Sequence, residues 1–280
     1  MTFKITHSTE YIFDSAVFLE PHYLRLRPRS TPYVSIVDFS ISVQSVKAGH
    51  RNIQDEENNV VDFYWFEGMT KKLSITSKSI LETKDFNPFD FILYPQSFDR
   101  FPFTYTAQQE VLLHSSLKKH LISQALLDYG ITVLRSSDHN TMQYVTNLTK
   151  QLHDDFSVEY REEGPPLLPD TTFELKRGSC RDLTWMQINL LRQQGFAARF
   201  VSGYYYFEMD EPSYELHAWV EVFLPGAGWL GLDPSHGILT GNTHFPMAAS
   251  AHYENTMPVS GSIRGSATSK LITQLSIEKT

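Results

Sequence analysis

The stretch that decides the fold is GSCRDLTWMQINLLRQQGFAARFVSGYYY, residues 178–206. Ser179 followed three residues later by Asp182 is a capping-box pattern, which predicts a helix that begins at Ser179. Apolar residues then recur at helical spacing, at Leu183, Met186, Leu190 and Leu191. Gly195 lies where a C-terminal cap belongs. The single cysteine of the chain, Cys180, therefore becomes the first residue of a helix that a strand follows.

A cysteine at the start of a helix is well suited to nucleophilic chemistry. The unpaired N–H groups and the positive end of the helix dipole favour a thiolate there, and the same N–H groups help to hold an oxyanion. Gly178 allows a substrate or another backbone segment to come close. The alternative is that Cys180 is a small buried hydrophobe, although such a residue would sit more naturally on the apolar stripe in mid-helix.

A second stretch, HAWVEVFLPGAGWLGLDPSHG at residues 217–237, predicts a hairpin that turns at PGAG. Antiparallel pairing about this turn brings His217 and Asp233 nearly opposite each other, within one or two rows. A carboxylate at that position accepts the imidazole N–H, fixes the tautomer and stabilises the imidazolium. His217 shares a strand face with Trp219 that points away from the apolar core, toward a predicted cleft.

Three residues are therefore the candidate catalytic group: Cys180 as nucleophile, His217 as general base and Asp233 as the carboxylate that orients the base. Each also has an ordinary structural interpretation, as a buried thiol, a surface or satisfied core imidazole and a turn residue before proline. Of the neighbours, Asp182 is predicted to cap the helix rather than to catalyse. Arg181 is predicted to be an ion-pair or surface residue, with binding of a substrate carboxylate as the alternative.

Composition excludes several other classes of protein. The net charge of −8 and the lack of a Lys/Arg run argue against a nucleic-acid partner. One cysteine excludes an internal disulfide framework and a cysteine cluster for zinc. His236 and His244 fall on predicted loops without a partner pattern. No metal and no cofactor are therefore predicted. The N-terminus lacks the apolar region of a signal peptide, and no eighteen-residue apolar stretch occurs. A cytoplasmic protein without membrane contact is the expectation.

The 280 residues predict an α+β chain with three parts. An antiparallel β-sandwich-like domain is predicted at 1–110, from alternating segments at 3–13, 34–46, 60–66 and 72–81. Its last part, 86–110, is a packed connector rich in Phe, Tyr and Pro. A catalytic domain follows at 111–260, which the resemblance given below implies to be papain-like or transglutaminase-like. Within it, Asp138 is predicted to cap a helix ending near Phe156, and 164–170 to form a loop. The remaining 261–280, rich in Ser, Thr and Gly, is predicted to be a tail that is mobile or wraps the surface.

The two quoted stretches together closely resemble the core of the transglutaminase-like superfamily, over about residues 155–240. The front of the chain resembles the β domain that precedes this core in the bacterial transglutaminase-like group. The similarity there is carried by HSTEYIFDSAV (7–17), LRLRPR (24–29) and NNVVDFYWFEG (58–68). By position, the resemblance implies Cys180 as nucleophile, His217 as base and then acid, and Asp233 as orienting carboxylate. It also implies an oxyanion donor upstream of the cysteine, for which 155–175 offers no Trp or Gln.

The expected activity is acyl transfer on a peptide or protein amide substrate. Cys180 would attack the carbonyl, expel an amine and form a thioester. Hydrolysis of that thioester, as in a protease or amidase, is favoured because nothing indicates a dedicated lysine-binding tunnel. Cross-linking by glutamine γ-glutamyl transfer is the alternative reaction. A non-catalytic peptide-binding module is the alternative class, and transfer from an acyl thioester donor would need a basic or Gly-rich nucleotide-binding segment that is not seen.

Overall fold

The computed structural model describes residues 1–161, 163–208 and 213–280. The predicted fold class is confirmed. An N-terminal β-rich region is followed by a core in which helices pack on an antiparallel sheet, with Cys180 at the start of one helix. None of the helices in the described part of the chain has the length and apolar character needed to cross a bilayer.

The elements run along the chain as follows. The N-terminal strands are β1 (Thr2–Leu19), β2 (His22–Leu24), β3 (Val34–Gln44), β4 (Lys47–Gln54), β5 (Val60–Phe66) and β6 (Thr70–Thr83). The strands of the core are β7 (Ser157–Val158), β8 (Arg177–Gly178), β9 (Ala198–Tyr205), β10 (Leu216–Leu224), β11 (Gly228–Asp233), β12 (Ile238–Leu239) and β13 (His244–Ser250). The closing strands are β14 (Val259–Ser260), β15 (Ile263–Arg264) and β16 (Ser269–Lys279). The helices are α1 (Ala107–Leu112), α2 (His114–Leu117), α3 (Gln124–Ser136), α4 (Thr141–Asp155), α5 (Pro169–Leu175) and α6 (Cys180–Gln193).

The N-terminal region is a sandwich of two antiparallel sheets. One has the order β15-β1-β6-β3, with β16 also paired to β1, and the other has the order β14-β2-β5-β4. Alternate residues of the strands point inward, as the period of two requires. The shared core includes Phe3, Ile5, Leu24, Tyr64, Leu73 and Ile75.

The prediction that residues 261–280 form a tail is wrong. Residues 269–279 form β16, which pairs antiparallel with β1 over eleven residues, from Phe3 opposite Lys279 to Phe13 opposite Ser269. The physical reason is that β1 would otherwise be an edge strand with a row of unpaired backbone groups, and β16 satisfies them. The C-terminal end of the chain is thus part of the N-terminal sandwich.

The core sheet has the order β12-β11-β10-β9-β13, and α6 packs on one of its faces. The side chains that fill this interface are apolar on both elements: Leu183, Met186, Leu190, Ala218, Val220 and Val222. The predicted helix is confirmed at both ends, because Ser179 is its N-cap and Gly195, with a φ of 85°, follows its C-terminal end. A left-handed φ at this position suits glycine.

Two local predictions about helices are wrong. Asn140, not Asp138, caps α4, and its side chain accepts a hydrogen bond from the N–H of Gln143 at 2.9 Å. Asp138 instead adopts a φ of 47° in the preceding turn. The predicted loop at 164–170 ends early, since Pro169 occupies the first position of α5. Proline is favoured there because its missing N–H would be unpaired in any case.

The N-terminal region packs against the core sheet. Tyr204 and Phe245 of this sheet belong to the apolar cluster of the sandwich. The Asn59 side chain bonds the N–H and the carbonyl of Ala249 at 2.9 and 3.0 Å. Trp219, on the strand face of His217, packs with Val201 and Ala249 and is only 2% exposed. The cleft predicted along this face is therefore closed at Trp219 by side chains of the neighbouring strands β9 and β13.

Candidate active site

Cys180 is placed by the start of α6. The carboxylate of Asp182 accepts hydrogen bonds from the Ser179 N–H at 2.7 Å and from the Ser179 hydroxyl at 2.8 Å, which fixes the first turn of the helix. Cys180 itself is half-buried and lies against the main apolar core. The predicted capping role of Asp182 is thus confirmed, and the thiol lies at the end of the helix where N–H groups have no intrahelical acceptor.

The buried Asp182 carboxylate also joins the helix to the preceding loop. It accepts the Leu167 N–H at 2.7 Å and an Arg161 guanidinium N–H at 2.6 Å. Arg181 donates to the backbone carbonyls of Arg161 and, at 3.4 Å, Glu163. The side chains of Asp182 and Arg181 therefore hold Arg161, Glu163 and Leu167 against the helix that carries Cys180.

Replacing Asp182 by Asn is expected to destabilise the protein by about 3 kcal/mol, because a buried carboxylate that satisfies four donors loses its charge and gains an NH₂ group. Chemical denaturation gives the free energy of unfolding. The control is Glu159→Gln, which removes an exposed ion pair with Arg177 and should cost no more than about 0.5 kcal/mol. Equal effects of the two variants would show that Asp182 is not a structural anchor.

His217 and Asp233 meet as the hairpin predicts. Strands β10 and β11 pair with Val220 opposite Leu232, which leaves the two residues on the same face within two rows. The His217 Nε2 lies 2.7 Å from the Asp233 Oδ2. Asp233 is fully buried, and its Oδ1 accepts the Ser235 N–H at 3.0 Å.

Burial and charge act in opposite directions on this pair. Burial favours the neutral imidazole, but the charge of Asp233 and the hydrogen bond to it outweigh burial and raise the pKa of His217 to about 10. Burial likewise opposes ionisation of Asp233, yet the charge of His217 and hydrogen bonds from three histidines hold the pKa of Asp233 well below its usual range. The pair is thus an imidazolium with a carboxylate at neutral pH.

The third member of the group is close to the same imidazole. Cys180 lies close enough to His217 that the thiol, like Asp233, raises the pKa of the imidazole. Because Nε2 is bonded to Asp233, Nδ1 is the ring nitrogen left for the thiol. The structure therefore brings Cys180, His217 and Asp233 together at one place.

The raised pKa of His217 has a consequence for stability. Histidine in an unfolded chain has a pKa of about 6.5, so the charged form of His217 stabilises the fold fully below that pH, and the stabilisation is lost as pH rises through about 10. The difference in free energy of unfolding between wild type and His217→Gln should therefore fall by roughly 3 kcal/mol from pH 6.5 to pH 10. Denaturation curves at several pH values measure it. A difference that stays constant or grows would contradict the ion pair.

Two histidines without a predicted partner also belong to this site. His236 Nδ1 lies 2.8 Å and His244 Nε2 3.2 Å from the same Asp233 oxygen that bonds His217. The prediction of a loop is confirmed for His236, which lies in the turn between β11 and β12, and is wrong for His244, which opens strand β13. The prediction that neither histidine has a partner is wrong for both. His236 follows Asp233 by three residues, so one turn brings them together. His244 arrives through the pairing of β13 with β9, for which the local sequence contains no signal.

His217, Asp233 and His236 each offer an atom that metals bind, and these atoms lie within 4.8 Å of one another. The two nitrogen–oxygen separations of 2.7 and 2.8 Å are hydrogen-bond lengths. Ligands of a tetrahedral zinc ion lie about 3.3 Å apart, given metal–ligand distances of about 2.0 Å. The arrangement is therefore accounted for by proton-mediated contacts between imidazoles and a carboxylate.

Comparisons with known families agree with this geometry. A model of the transglutaminase-like superfamily matches residues 131–234, a range that contains Cys180, His217 and Asp233. A model of the bacterial transglutaminase-like N-terminal region matches residues 3–82, which end inside β6. The two matches correspond to the core and to the sandwich.

Individual relatives match at moderate to low identity. An uncharacterized protein of Mycobacterium tuberculosis is 24% identical over 283 residues, which cover 93% of this chain and 87% of the relative. The protein-glutamine gamma-glutamyltransferase of Pseudomonas aeruginosa is 32% identical over 76 residues, which cover 25% of this chain and 11% of that protein. A crystal structure from Cytophaga hutchinsonii, named as that of "a putative cysteine protease", superposes with a TM-score of 0.73 at 18% identity and covers all of this chain and 91% of its own. At that identity the superposition shows a shared fold.

Proposed function

Since the chain belongs to the transglutaminase-like superfamily and carries a bacterial transglutaminase-like N-terminal region, we propose that it is a cysteine-dependent acyl-transfer enzyme that hydrolyses amide bonds. The single observation that carries the proposal is that Cys180 lies next to His217, whose ring is held at 2.7 Å by the buried Asp233. A thiol at a helix N-terminus, an imidazole and a carboxylate in this order form the group that activates a nucleophile.

The first half of the reaction forms a thioester. With the shared proton held on His217 as the imidazolium, the Cys180 thiolate attacks the carbonyl carbon of a peptide or carboxamide. The carbonyl oxygen becomes an oxyanion, for which the N–H of Cys180 at the helix start is a donor. When the C–N bond breaks, the His217 imidazolium gives its proton to the departing amine. Asp233 keeps the ring aligned and stabilises its charge in the interval.

The second half returns the enzyme to its starting state. His217 removes a proton from water, the hydroxide attacks the thioester carbonyl, and the C–S bond breaks with the sulfur leaving as the thiolate beside the His217 imidazolium. The exposure of His236 supports water as the acceptor. Its side chain is 35% exposed, and the centroid of its ring lies 5.2 Å from that of His217. Solvent thus reaches the neighbourhood of the imidazole without a long channel.

Glutamine γ-glutamyl transfer is the second candidate reaction, favoured by the partial match to a protein-glutamine gamma-glutamyltransferase. It shares the thioester and differs in the group that resolves it, a primary amine in place of water. The side chains that lead an amine to the thioester decide between the two, and they lie in the substrate-binding surface rather than in the catalytic group.

The test combines both acceptors in one reaction. Casein peptides are incubated with the protein in H₂¹⁸O that contains a dansylated alkylamine, and the products are identified by mass spectrometry. New termini or side-chain carboxylates with ¹⁸O, in excess over amine adducts and absent with Cys180→Ala, are the expected result. A majority of amine adducts would favour cross-linking. The absence of any product that depends on Cys180 over a broad peptide set would overturn the enzymatic proposal.

A further inference from the structure

Three imidazoles converge on one oxygen of the buried Asp233. His217, His236 and His244 lie 2.7, 2.8 and 3.2 Å from the Oδ2 atom. The proposed chemistry uses only one of them. Extra hydrogen-bond donors stabilise the ionised form of a carboxylate. A second imidazolium, however, would compete with the catalytic imidazole for the negative charge of that carboxylate. The protonation state of the additional histidines therefore matters for the reaction.

The tautomer of His244 is fixed by its second hydrogen bond. The backbone N–H of Gly241 donates to the His244 Nδ1 at 3.3 Å, so this nitrogen is an acceptor and carries no proton. The proton must then be on Nε2, which donates it to Asp233. An imidazole with a proton on Nε2 alone is neutral. Protonation of Nδ1 would bring its N–H into repulsive contact with the N–H of Gly241.

The surroundings of His244 also favour the neutral form. Its side chain is 2% exposed, stacks on the ring of Tyr205 at 4.1 Å and meets the edge of Trp219 at 5.4 Å. Burial lowers the pKa of His244 more than Asp233 raises it, and the neighbouring His217 and His236 act in the same direction as burial. Asp233, His217, His236 and Tyr205 are the titratable groups in contact with it or close to it.

We propose that His244, held by the amide of Gly241, is a positioning residue that fixes the Asp233 carboxylate through a neutral donor and leaves its full negative charge to His217. This inference rests on the proposed function and names a further residue of the same site. The neutral donor fixes the direction of Oδ2 without forming a second ion pair, so the imidazolium of His217 is the partner that the carboxylate stabilises. His236, which is half-exposed, has no second hydrogen bond that fixes its tautomer among the residues that the structure describes.

The test measures the reactivity of Cys180, which needs no knowledge of the substrate. Iodoacetamide labelling between pH 5 and 9 is followed by mass spectrometry for wild type, His244→Leu and His244→Gln. The leucine variant lacks the donor and should label about 10-fold more slowly at pH 6, whereas glutamine keeps an amide N–H near the Nε2 position and should stay within about 3-fold of wild type. His7→Leu is the control, since His7 is equally buried but bonds Tyr204 and Thr9.

Imidazole ¹⁵N spectra of wild type measure the protonation state of His244 directly in the folded protein. The signal is assigned by its absence from the spectrum of His244→Gln. It should report a neutral ring protonated on Nε2 from pH 5 to 9. An imidazolium or an Nδ1-protonated ring at pH 7 would overturn the inference, as would wild-type labelling of a folded His244→Leu or equal slowing by leucine and glutamine. Failure of the proposed function is distinguishable: wild-type Cys180 would then label as slowly as an ordinary thiol and independently of His217.

Discussion

Replacing Cys180 by Ala is expected to lower the turnover of an amide substrate by at least about 10³-fold, because no other group can form the covalent intermediate. The thiol is the only one in the chain, so the loss cannot be compensated by a neighbour. Release of peptide fragments, followed by liquid chromatography, measures the effect. The substrate affinity should change little, since the sulfur contributes to chemistry rather than to binding.

The matched control for this variant lies one turn further along the same helix. Thr184→Ala removes a small buried side chain from α6 and leaves Cys180, His217 and Asp233 unchanged, and turnover should remain within a few-fold of wild type. Circular dichroism must show that both variants fold. Turnover of Cys180→Ala within tenfold of wild type would mean that the amide is cleaved by another route.

Replacing Asp233 by Asn is expected to lower kcat by roughly 10²–10⁴-fold with a small effect on KM. The amide lacks the charge that raises the pKa of His217, and its NH₂ group faces the N–H donors of three histidines. The imidazole then loses both its orientation and the stabilisation of its charged form. Steady-state kinetics from pH 5 to 9 separate kcat from KM and show whether the activity shifts with pH.

Asp62→Asn is a control of the same kind in the N-terminal region. Asp62 is also buried and bonded to a histidine, with its Oδ1 3.0 Å from His50 Nε2 and 2.6 Å from Asn52. Its replacement should reduce stability and leave kcat unchanged. If the two asparagine variants lower kcat equally, the effect of Asp233 belongs to folding and not to the orientation of His217.

The parts of the site that the sequence predicts are those set by local signals. The start of α6 follows from Ser179 and Asp182, three residues apart, and the meeting of His217 with Asp233 follows from a single turn between them. Each depends on contacts between residues close in the chain. Local preferences and tertiary structure agree here, and a sequence pattern is sufficient.

The parts that were missed depend on contacts between distant segments. His244 reaches Asp233, and Ala249 reaches the neighbourhood of Trp219, because β13 pairs with β9. The order of strands in a sheet cannot be read from a local pattern. The C-terminal strand is a different case, because Leu271, Leu275 and Ile277 are separated by multiples of two residues. This period of two predicts a strand, whereas the Ser, Thr and Gly content of residues 261–280 favours a tail.

The central claim is that His217 activates the Cys180 sulfur as a nucleophile, and the pH-dependent alkylation of wild type and His217→Gln tests it most directly. A thiol with the ordinary pKa of about 8.5 is ionised to about 0.3% at pH 6, so removal of the imidazole should slow labelling at that pH by roughly 100-fold. His50→Gln, which also breaks a contact between histidine and a buried aspartate, should label at the wild-type rate. Equal, slow labelling of wild type and His217→Gln at pH 6 would contradict the account.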